Sequence, residues 1–133
     1  MTISRIDQLD ALSLHCRAQF VRLSEMLQED FDNGTTRTLF LVFETFRTPD
    51  RQAQVRAEGA SQVGPWQSAH AWGFAADFVP YMEGIGWSWD DDHDWDHLDN
   101  RAKLCGLRRP ITWDRPHIEH PDWQYAKSKL IRK

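Results

Sequence analysis

The chain has 133 residues, of which 41% are hydrophobic and 27% are charged, so it has enough apolar sequence for one soluble globular domain over residues 1–133. Its formal net charge of -4, with lysine and arginine scattered along the chain, argues against binding to nucleic acid or to an anionic membrane. No apolar run approaches the roughly 18 residues of a membrane span, and acidic residues interrupt the N-terminal segment where a signal peptide would be apolar. We therefore expect a monomer that is made in the cytoplasm without a signal peptide and does not insert into a membrane.

The first half of the chain is predicted to contain a helix, a strand and a second helix. Apolar residues recur at helical spacing over residues 6–31, which indicates one amphipathic helix or two in succession. Residues 38–45 form a short apolar run rich in strand-forming residues, which predicts a buried strand that leads to Arg47. Thr48 can cap a helix and Pro49 suits its first turn, so a second helix is expected from there to about residue 58.

The second half begins with a loop over residues 59–72, where glycine, serine, proline and tryptophan occur without periodicity. Beyond it the pattern predicts strands at 74–79, 85–89, 111–113 and 116–119, and helices at 94–104 and 122–131. The acidic run at 90–96 is interpreted as a solvated surface, because it lacks the spacing of a calcium loop. The predicted fold class is α+β, with a small antiparallel sheet flanked by helices.

Two short segments carry residues that suit a metal site. His70 and Asp77 lie seven residues apart, with Gly73 between them where a chain leaving a loop could enter a strand. Forty residues later, the segment Asp114-Arg-Pro-His117 supplies a second histidine. Catalytic zinc takes three such nitrogen and oxygen ligands and keeps a fourth position open. The sequence therefore predicts that His70, Asp77 and His117 bind Zn²⁺.

Asp114, three residues before the last predicted ligand, is the candidate general base. A zinc-bound water has its pKa lowered toward about 7, and a nearby carboxylate that does not itself bind the metal can take its proton. His93 and His97 have the helical spacing of a zincin motif, but the sequence there is HDWDH rather than HExxH, so a second metal site is disfavoured. The two cysteines, Cys16 and Cys105, form no CxxC pair and predict neither a thiolate site nor a disulfide framework.

Three motifs together resemble a known family. They are Glu44-Thr-Phe-Arg47-Thr-Pro-Asp-Arg51-Gln52, the segment from Ser68 to Asp77, and Asp114-Arg-Pro-His117. In this order, over residues 44–120, the chain resembles the VanY-type zinc D-alanyl-D-alanine carboxypeptidases and L-alanyl-D-glutamate peptidases. Aspartate at position 114 is similar to the endolysin-like branch. The stretch 106–113 departs from the longer glycine- and tryptophan-rich stretch of most relatives, which leaves that wall of the cleft undefined.

The resemblance implies a Hedgehog/DD-peptidase-like fold, zinc ligation by His70, Asp77 and His117, and a base at Asp114. It also implies that Arg47 binds a carboxylate of the substrate or stabilises the transition state, whereas a salt bridge is the structural alternative. Other residues are expected near the cleft: Ser68 binds substrate or fixes the loop, Trp66 and Trp72 line the cleft, and Glu119 is a second candidate base. His120 is expected on the opposite face of its strand from His117 and Glu119, and so not to be a ligand.

The function that the resemblance implies is hydrolysis of a bond in the peptidoglycan stem peptide, either L-alanyl-D-glutamate or D-alanyl-D-alanine. A phage or prophage endolysin made without a signal peptide would reach the wall after the membrane is breached, as by a holin. The alternatives are a wall-binding module that has kept the zinc but lost turnover, and a zinc-free phage structural protein. Because a non-catalytic descendant need not keep Asp114, the complete set of residues favours an enzyme.

Overall fold

The computed structural model describes residues 3–59, 61, 63–64 and 67–131. Within them lie four α-helices and four strands: α1 (Arg17–Asp32), β1 (Phe40–Glu44), α2 (Pro49–Ala57), β2 (Ala75–Met82), β3 (Gly86–Trp87), α3 (Trp95–Leu104), β4 (His117–Glu119) and α4 (Trp123–Ile131). Two short 3-10 helices span Leu9–Ala11 and Ala69–Trp72. This confirms the predicted α+β class. No helix in the described ranges is long and apolar enough to span a membrane.

The sheet is antiparallel and is built around β2. Strand β1 pairs with one side of β2, and both β3 and β4 pair with the other. In this register Asp77 lies between Glu44 of β1 and His117 of β4. Residues that are far apart in the sequence thus become neighbours across three strands, and the candidate site is built on this row.

The hydrophobic core lies where α1 and α3 meet each other and where α1 meets β1. The amphipathic helix α1 supplies Phe20, Leu23 and Leu27, which are fully buried. The sheet supplies Phe78 and Ile118, which are also fully buried. Full burial of a side chain of this size stabilises the fold by roughly 1.5–3 kcal/mol. The core therefore fixes β2 and β4, the two strands on which the candidate site depends.

The first helix is shorter than predicted. It begins at Arg17, and the residues before it form an irregular segment with one 3-10 turn. Tertiary hydrogen bonds outweigh the helical periodicity there, because Thr45 donates from its backbone N to Ile6 O (2.7 Å) and from its hydroxyl to the carbonyls of Ile6 and Gln8. The segment then passes Gly73, whose carbonyl accepts from Ser13 N at 2.9 Å.

Gly73 is the position where glycine is required. Its φ is +73°, in the left-handed region, and it caps the 3-10 helix that carries His70. A Cβ added at this residue would lie 2.9 Å from Ser13 N. A side chain would therefore strain the backbone and push the N-terminal segment away from the turn between His70 and Asp77.

The other helices and strands follow the predictions with one exception. Thr48 caps α2 by accepting from Arg51 N at 3.1 Å, and Asp94 caps α3 by accepting from His97 N at 3.2 Å. The strand predicted at 111–113 is wrong: Asp114 N donates to Ile111 O to form a turn. Strand β4 pairs with β2, and its further partner is the isolated residue Arg108, which forms a bridge with Glu119. Trp113 lies in the turn between Ile111 and Asp114 and is 60% exposed.

Candidate metal centre

Three donor atoms converge at one end of β2. His70 comes from the 3-10 helix, Asp77 from β2 and His117 from β4. Asp77 Oδ1 lies 3.0 Å from His70 Nε2 and 3.5 Å from His117 Nδ1, and the two imidazole nitrogens are 3.3 Å apart. The sequence predicted these three residues as ligands, and the fold brings them together.

These distances fit a zinc site. Tetrahedral bonds of about 2.0–2.2 Å place neighbouring ligand atoms about 3.4 Å from each other. The three separations here bracket that value, and all three residues are at most 8% exposed. Two imidazoles and one carboxylate are also a donor set that borderline metals such as zinc accept. The residues therefore fit zinc in both geometry and chemistry.

Hydrogen bonds fix which nitrogen of each histidine faces the metal position. His70 Nδ1 donates to the carbonyl of Thr45 at 2.6 Å, and His117 Nε2 donates to Glu119 Oε1 at 2.8 Å. Each bond fixes a proton on the far nitrogen, so the nitrogen that faces Asp77 is the one that can offer a lone pair to a metal. Such partners orient metal-binding histidines and increase their basicity.

Glu119 is itself held in place from its other oxygen. Glu119 Oε2 accepts from Trp123 Nε1 at 2.7 Å and from Arg108 Nη2 at 2.9 Å. Burial would raise the pKa of Glu119, but the hydrogen bond and charge of His117 and the donors of Arg108 and Trp123 hold it below the usual range. Both oxygens are thus engaged, and the carboxylate is positioned to orient His117 rather than to act as a base.

Arg47 holds Asp77 from the opposite side. Its Nη2 donates to Asp77 Oδ2 at 3.2 Å, its Nη1 donates to Gln52 Oε1, and its Nε lies 3.0 Å from Glu44 Oε1. Glu44 is 1% exposed and also pairs with Arg51. The guanidinium of Arg47 therefore donates hydrogen bonds from Nη1 and Nη2, whereas its buried Nε contacts Glu44 as an ion pair without hydrogen-bond geometry.

The charges at the centre depend strongly on one another. Burial would raise the pKa of Asp77, but His70, His117 and Arg47 hold it well below the usual carboxyl range. Burial would lower the pKa of His117, yet its bonds to Asp77 and Glu119 raise it to about 9. A metal cation at this position would take the place of that proton, as metal ligation by histidine requires.

Asp114 lies beside the three donors in the wall of a cleft. Burial, together with the negative charge of Asp77, raises its pKa, while the histidines and Arg47 act in the opposite direction. A carboxylate of raised pKa that lines a cleft has the properties of a general base. Its backbone carbonyl accepts from His117 N at 3.2 Å, which ties its position to β4.

Two recesses adjoin the centre, and we call them the first and second arms of the cleft. The first arm is lined by Ser68, His70, Ile111, Trp113, His117 and Trp123, among others. The second is lined by Phe43, Arg51, Glu58, Asp77, Trp89 and Pro116, among others. Arg47 and Asp114 line both arms. The three donors are therefore flanked by two recesses that share Arg47 and Asp114 in their walls.

Neither family models nor curated proteins match this sequence. Solved structures do. The L-Ala D-Glu endopeptidase ChiX of Serratia marcescens is 22% identical, with a TM-score of 0.58 over 92% of this chain and 93% of that one. The LD-carboxypeptidase LdcB, studied for peptidoglycan recognition, is 12% identical, with a TM-score of 0.59 over 90% of this chain. The match spans 64% of LdcB.

This chain has the fold of these two peptidases. At such low identity the similarity establishes the fold alone, and it agrees with the DD-peptidase-like fold predicted from the three motifs. The geometry of the centre is an observation on this chain's own residues and does not depend on that similarity.

Two of the residues predicted near substrate have structural contacts. Ser68 caps the 3-10 helix by accepting from His70 N at 3.2 Å, and it also lines the first arm. Trp72 packs against the hydrophobic core. Trp66 lies outside the described residues. Substrate contacts by Ser68, Trp72 and Arg47 stay predictions, and Arg47 would have to make them with a guanidinium that already has three partners.

The remaining histidines do not join the centre. His97 Nε2 bonds to Asp30, and His93 Nε2 bonds to Ser88, so the pair at zincin spacing does not converge. His120 N donates to Phe74 O, and its ring lies beside His15 and Asp122. His120 thus lies apart from the three donors, as strand alternation predicted.

Sequence reasoning missed three partners that hold the centre together: the Thr45 carbonyl, Arg108 and Trp123. Trp123 follows Glu119 by four residues, but the chain leaves a strand and turns between them, so helical spacing does not predict their contact. Thr45 contributes a backbone atom, which leaves no trace in side-chain chemistry. Arg108 depends on the isolated bridge with Glu119, and no spacing rule predicts that bridge.

Proposed function

We propose that this protein is a zinc peptidase that hydrolyses a bond in the peptidoglycan stem peptide. The observation that carries the proposal is the buried group of His70, Asp77 and His117, with both imidazoles oriented by hydrogen bonds and a recess on either side. The substrate class is supported by the shared fold, because one similar structure is an L-Ala D-Glu endopeptidase and the other is described by its peptidoglycan recognition.

His70 Nε2, Asp77 Oδ1 and His117 Nδ1 would hold the metal. When bound, zinc supplies a Lewis acid for the scissile carbonyl and lowers the pKa of an attacking water. Asp114 accepts the proton of that water and then delivers it to the leaving amine, a contribution of about 10²- to 10⁴-fold in rate. Arg47 and Glu119 keep Asp77 and His117 in position.

The form of the cleft favours an internal bond over a C-terminal one. A carboxypeptidase needs a cation to bind the terminal carboxylate close to the scissile bond. Among the described residues that line the two arms, Arg47 and Arg51 are the arginines, and both are paired with Glu44. We therefore propose L-alanyl-D-glutamate hydrolysis before D-alanyl-D-alanine hydrolysis. Aspartate at position 114 resembles the endolysin-like branch and supports a lytic role, and we propose that the enzyme is a monomer.

The proposal is tested by replacing Asp114 with asparagine. Asp114→Asn should keep the fold and about one zinc per chain, while hydrolysis of purified peptidoglycan falls by about 10²-fold or more. Asp92→Asn, at an exposed aspartate, is the matched control and should keep full activity. Full activity of Asp114→Asn would remove Asp114 from the proposed mechanism.

Mass spectrometry of the digested wall identifies the bond. A new amino terminus on the glutamate residue indicates the proposed endopeptidase, whereas free D-alanine indicates a carboxypeptidase. A wild-type protein that binds zinc and wall but releases neither product would instead be a non-catalytic binding module. Native protein without zinc affinity would contradict the proposed centre itself.

A further inference from the structure

A cluster of aromatic side chains lies at one end of the second arm of the cleft. Phe43 packs edge-on against Trp87 and Trp89, with ring centroids 5.0 and 5.2 Å apart. Arg5 covers Phe43 with its guanidinium 4.1 Å from the ring centroid and donates from Nε to Phe43 O at 2.8 Å. Tyr81 extends the cluster by packing on Trp87 at 5.2 Å.

Trp89 is the exposed member of this cluster. It is 52% exposed although Phe43 holds it from one side, and it lies just beyond the end of β3. A large ring that is held by packing and still open to solvent is preorganised to bind a ligand at little cost in side-chain entropy. The mechanism proposed above gives Trp89 no role.

The cluster is continuous with the candidate centre. Phe43 and Trp89 line the second arm together with Asp77, a proposed metal ligand, and Asp114, the proposed base. Arg51 and Glu58 line the same arm and provide charged groups beside the aromatic surface. The arm therefore combines a flat apolar face with polar groups at its margin.

We propose that Trp89 forms a stacking platform for the N-acetylhexosamine ring that carries the stem peptide, so that the substrate is a glycopeptide rather than a free peptide. This inference rests on the proposed function and deepens it. A pyranose ring has an apolar C–H face and a polar edge of hydroxyl and acetamido groups, which matches an aromatic face with charged residues at its margin. A second copy of the chain or a lipid surface would need the aromatic face but not this margin.

The platform also distinguishes between the two candidate bonds. L-alanine is joined directly to the lactyl group of the sugar, so hydrolysis of the L-alanyl-D-glutamate bond places the sugar one residue from the metal position. The D-alanyl-D-alanine bond is three residues further on, roughly 10 Å in an extended chain. A sugar platform that shares one arm with Asp77 and Asp114 therefore fits the first bond.

The test compares two substrates with the zinc-loaded protein. One is the disaccharide-pentapeptide of peptidoglycan, and the other is the same pentapeptide with an acetylated amino terminus and no sugar. Trp89→Ala should lower kcat/KM for the glycopeptide about tenfold, mainly through KM, and leave the free peptide unchanged. Trp89→Phe should restore most of the loss. Tyr125→Ala, at an aromatic residue that is 68% exposed on α4, is the matched control and should change neither rate.

Equal loss on both substrates, or no loss on either, would overturn the platform. If the wild-type protein cleaves neither substrate, the proposed function fails. In that case the inference is decided by binding of the disaccharide alone, measured by saturation-transfer NMR. Binding that is present in the wild type and lost in Trp89→Ala supports the platform; absence of binding overturns it. A self-association or a binding to anionic lipid vesicles that Trp89→Ala abolishes, without an effect on the sugar, would assign the surface to those partners instead.

Discussion

The described residues contain two groups of two histidines and one aspartate, and the groups differ in what surrounds them. His70, Asp77 and His117 are almost fully buried. In the second group His15 and Asp122 have side chains about half exposed, at 52% and 53%, and only His120 is buried. The donor chemistry is the same in both, so any difference in metal affinity has to come from the surroundings.

The second group lacks the oriented lone pairs of the first. His15 Nε2 bonds directly to Asp122 Oδ2 at 3.1 Å, and His120 Nδ1 accepts the backbone N–H of Asp122 at 3.1 Å. A metal bound at His120 Nδ1 would have to displace the backbone N–H of Asp122, since Nδ1 has a single lone pair. In the buried group the outer partners bind the far nitrogens and leave the near ones available. The two groups have the same donor types, so we propose that the outer partners favour the buried group as the metal site.

The largest expected effect comes from His70→Ala. Loss of a ligand that also bonds to Asp77 and Thr45 should reduce bound zinc from about one per chain to below detection, and wall hydrolysis with it. The measurement is elemental analysis of purified protein after dialysis. His15→Ala removes a histidine from the exposed group and should leave both zinc content and activity unchanged.

Reversed results for these two variants would break the comparison. If His15→Ala lost the zinc and His70→Ala kept it, the exposed group would be the metal site, and the buried group would be a network of hydrogen bonds alone. Because His70 is buried, its replacement could also unfold the protein. Far-ultraviolet circular dichroism should therefore accompany the metal analysis to separate loss of a ligand from loss of the fold.

Glu119→Gln should have the next largest effect. The amide keeps the shape of Glu119 but removes the charge that orients His117, and loss of such an outer partner typically weakens metal binding by about 10- to 100-fold. Competition with a zinc-binding dye measures this change. Glu83→Gln, at an exposed residue of the turn after β2, provides the control.

The same variant separates two roles for Glu119. An orienting role predicts weaker zinc binding, with activity recovered when zinc is in excess. If zinc affinity were unchanged while activity stayed low at saturating zinc, Glu119 would act on the substrate or the water, as the second candidate base of the sequence analysis.

Arg47→Lys is expected to have a smaller effect. Lysine keeps the charge but cannot reach Asp77, Gln52 and Glu44 together, because only the planar fork of arginine has donors in three directions. Activity should fall by about tenfold, an effect of about 1.4 kcal/mol, and the melting temperature should fall as well. Arg115→Lys, at a surface pair with Asp91, is the control for the substitution itself.

A role for Arg47 in substrate binding gives a different result. In that case KM rises for substrates that carry a carboxylate near the scissile bond and stays constant for their amides. A role confined to positioning Asp77 lowers kcat and zinc affinity for both substrates alike.

The contrast between the two groups also shows what the sequence could predict. His70 and Asp77 were predictable because the six residues between them form a local unit, in which Gly73 ends one turn and β2 begins. His117 and Glu119 were placed on one face by strand alternation. The role of Glu119 in orienting His117 was not predictable, because Arg108 and Trp123 hold its carboxylate in place. Arg108 reaches Glu119 through an isolated bridge, where the sequence predicted a strand at 111–113.

The N-terminal segment shows the same limit. Its apolar spacing suits a helix from residue 6, but Thr45 binds the carbonyls of Ile6 and Gln8, and the segment is held out of helical geometry. These contacts have a consequence for the site, because the carbonyl of the same Thr45 accepts from His70. The long-range hydrogen bonds of Thr45 therefore keep residues 6–8 out of a helix and also orient His70, a proposed ligand.

The smallest effect is expected from Asp122→Asn in the exposed group. An exposed histidine-carboxylate pair contributes at most about 1 kcal/mol, so the free energy of unfolding should change by no more than that in chemical denaturation. Zinc titration should give one tight equivalent in both proteins, since the exposed donors are not oriented toward a common point. A second zinc equivalent in the wild type that disappears in Asp122→Asn would show that half-exposed donors suffice to bind zinc. Outer partners would then determine how tightly a metal binds, and not whether it binds.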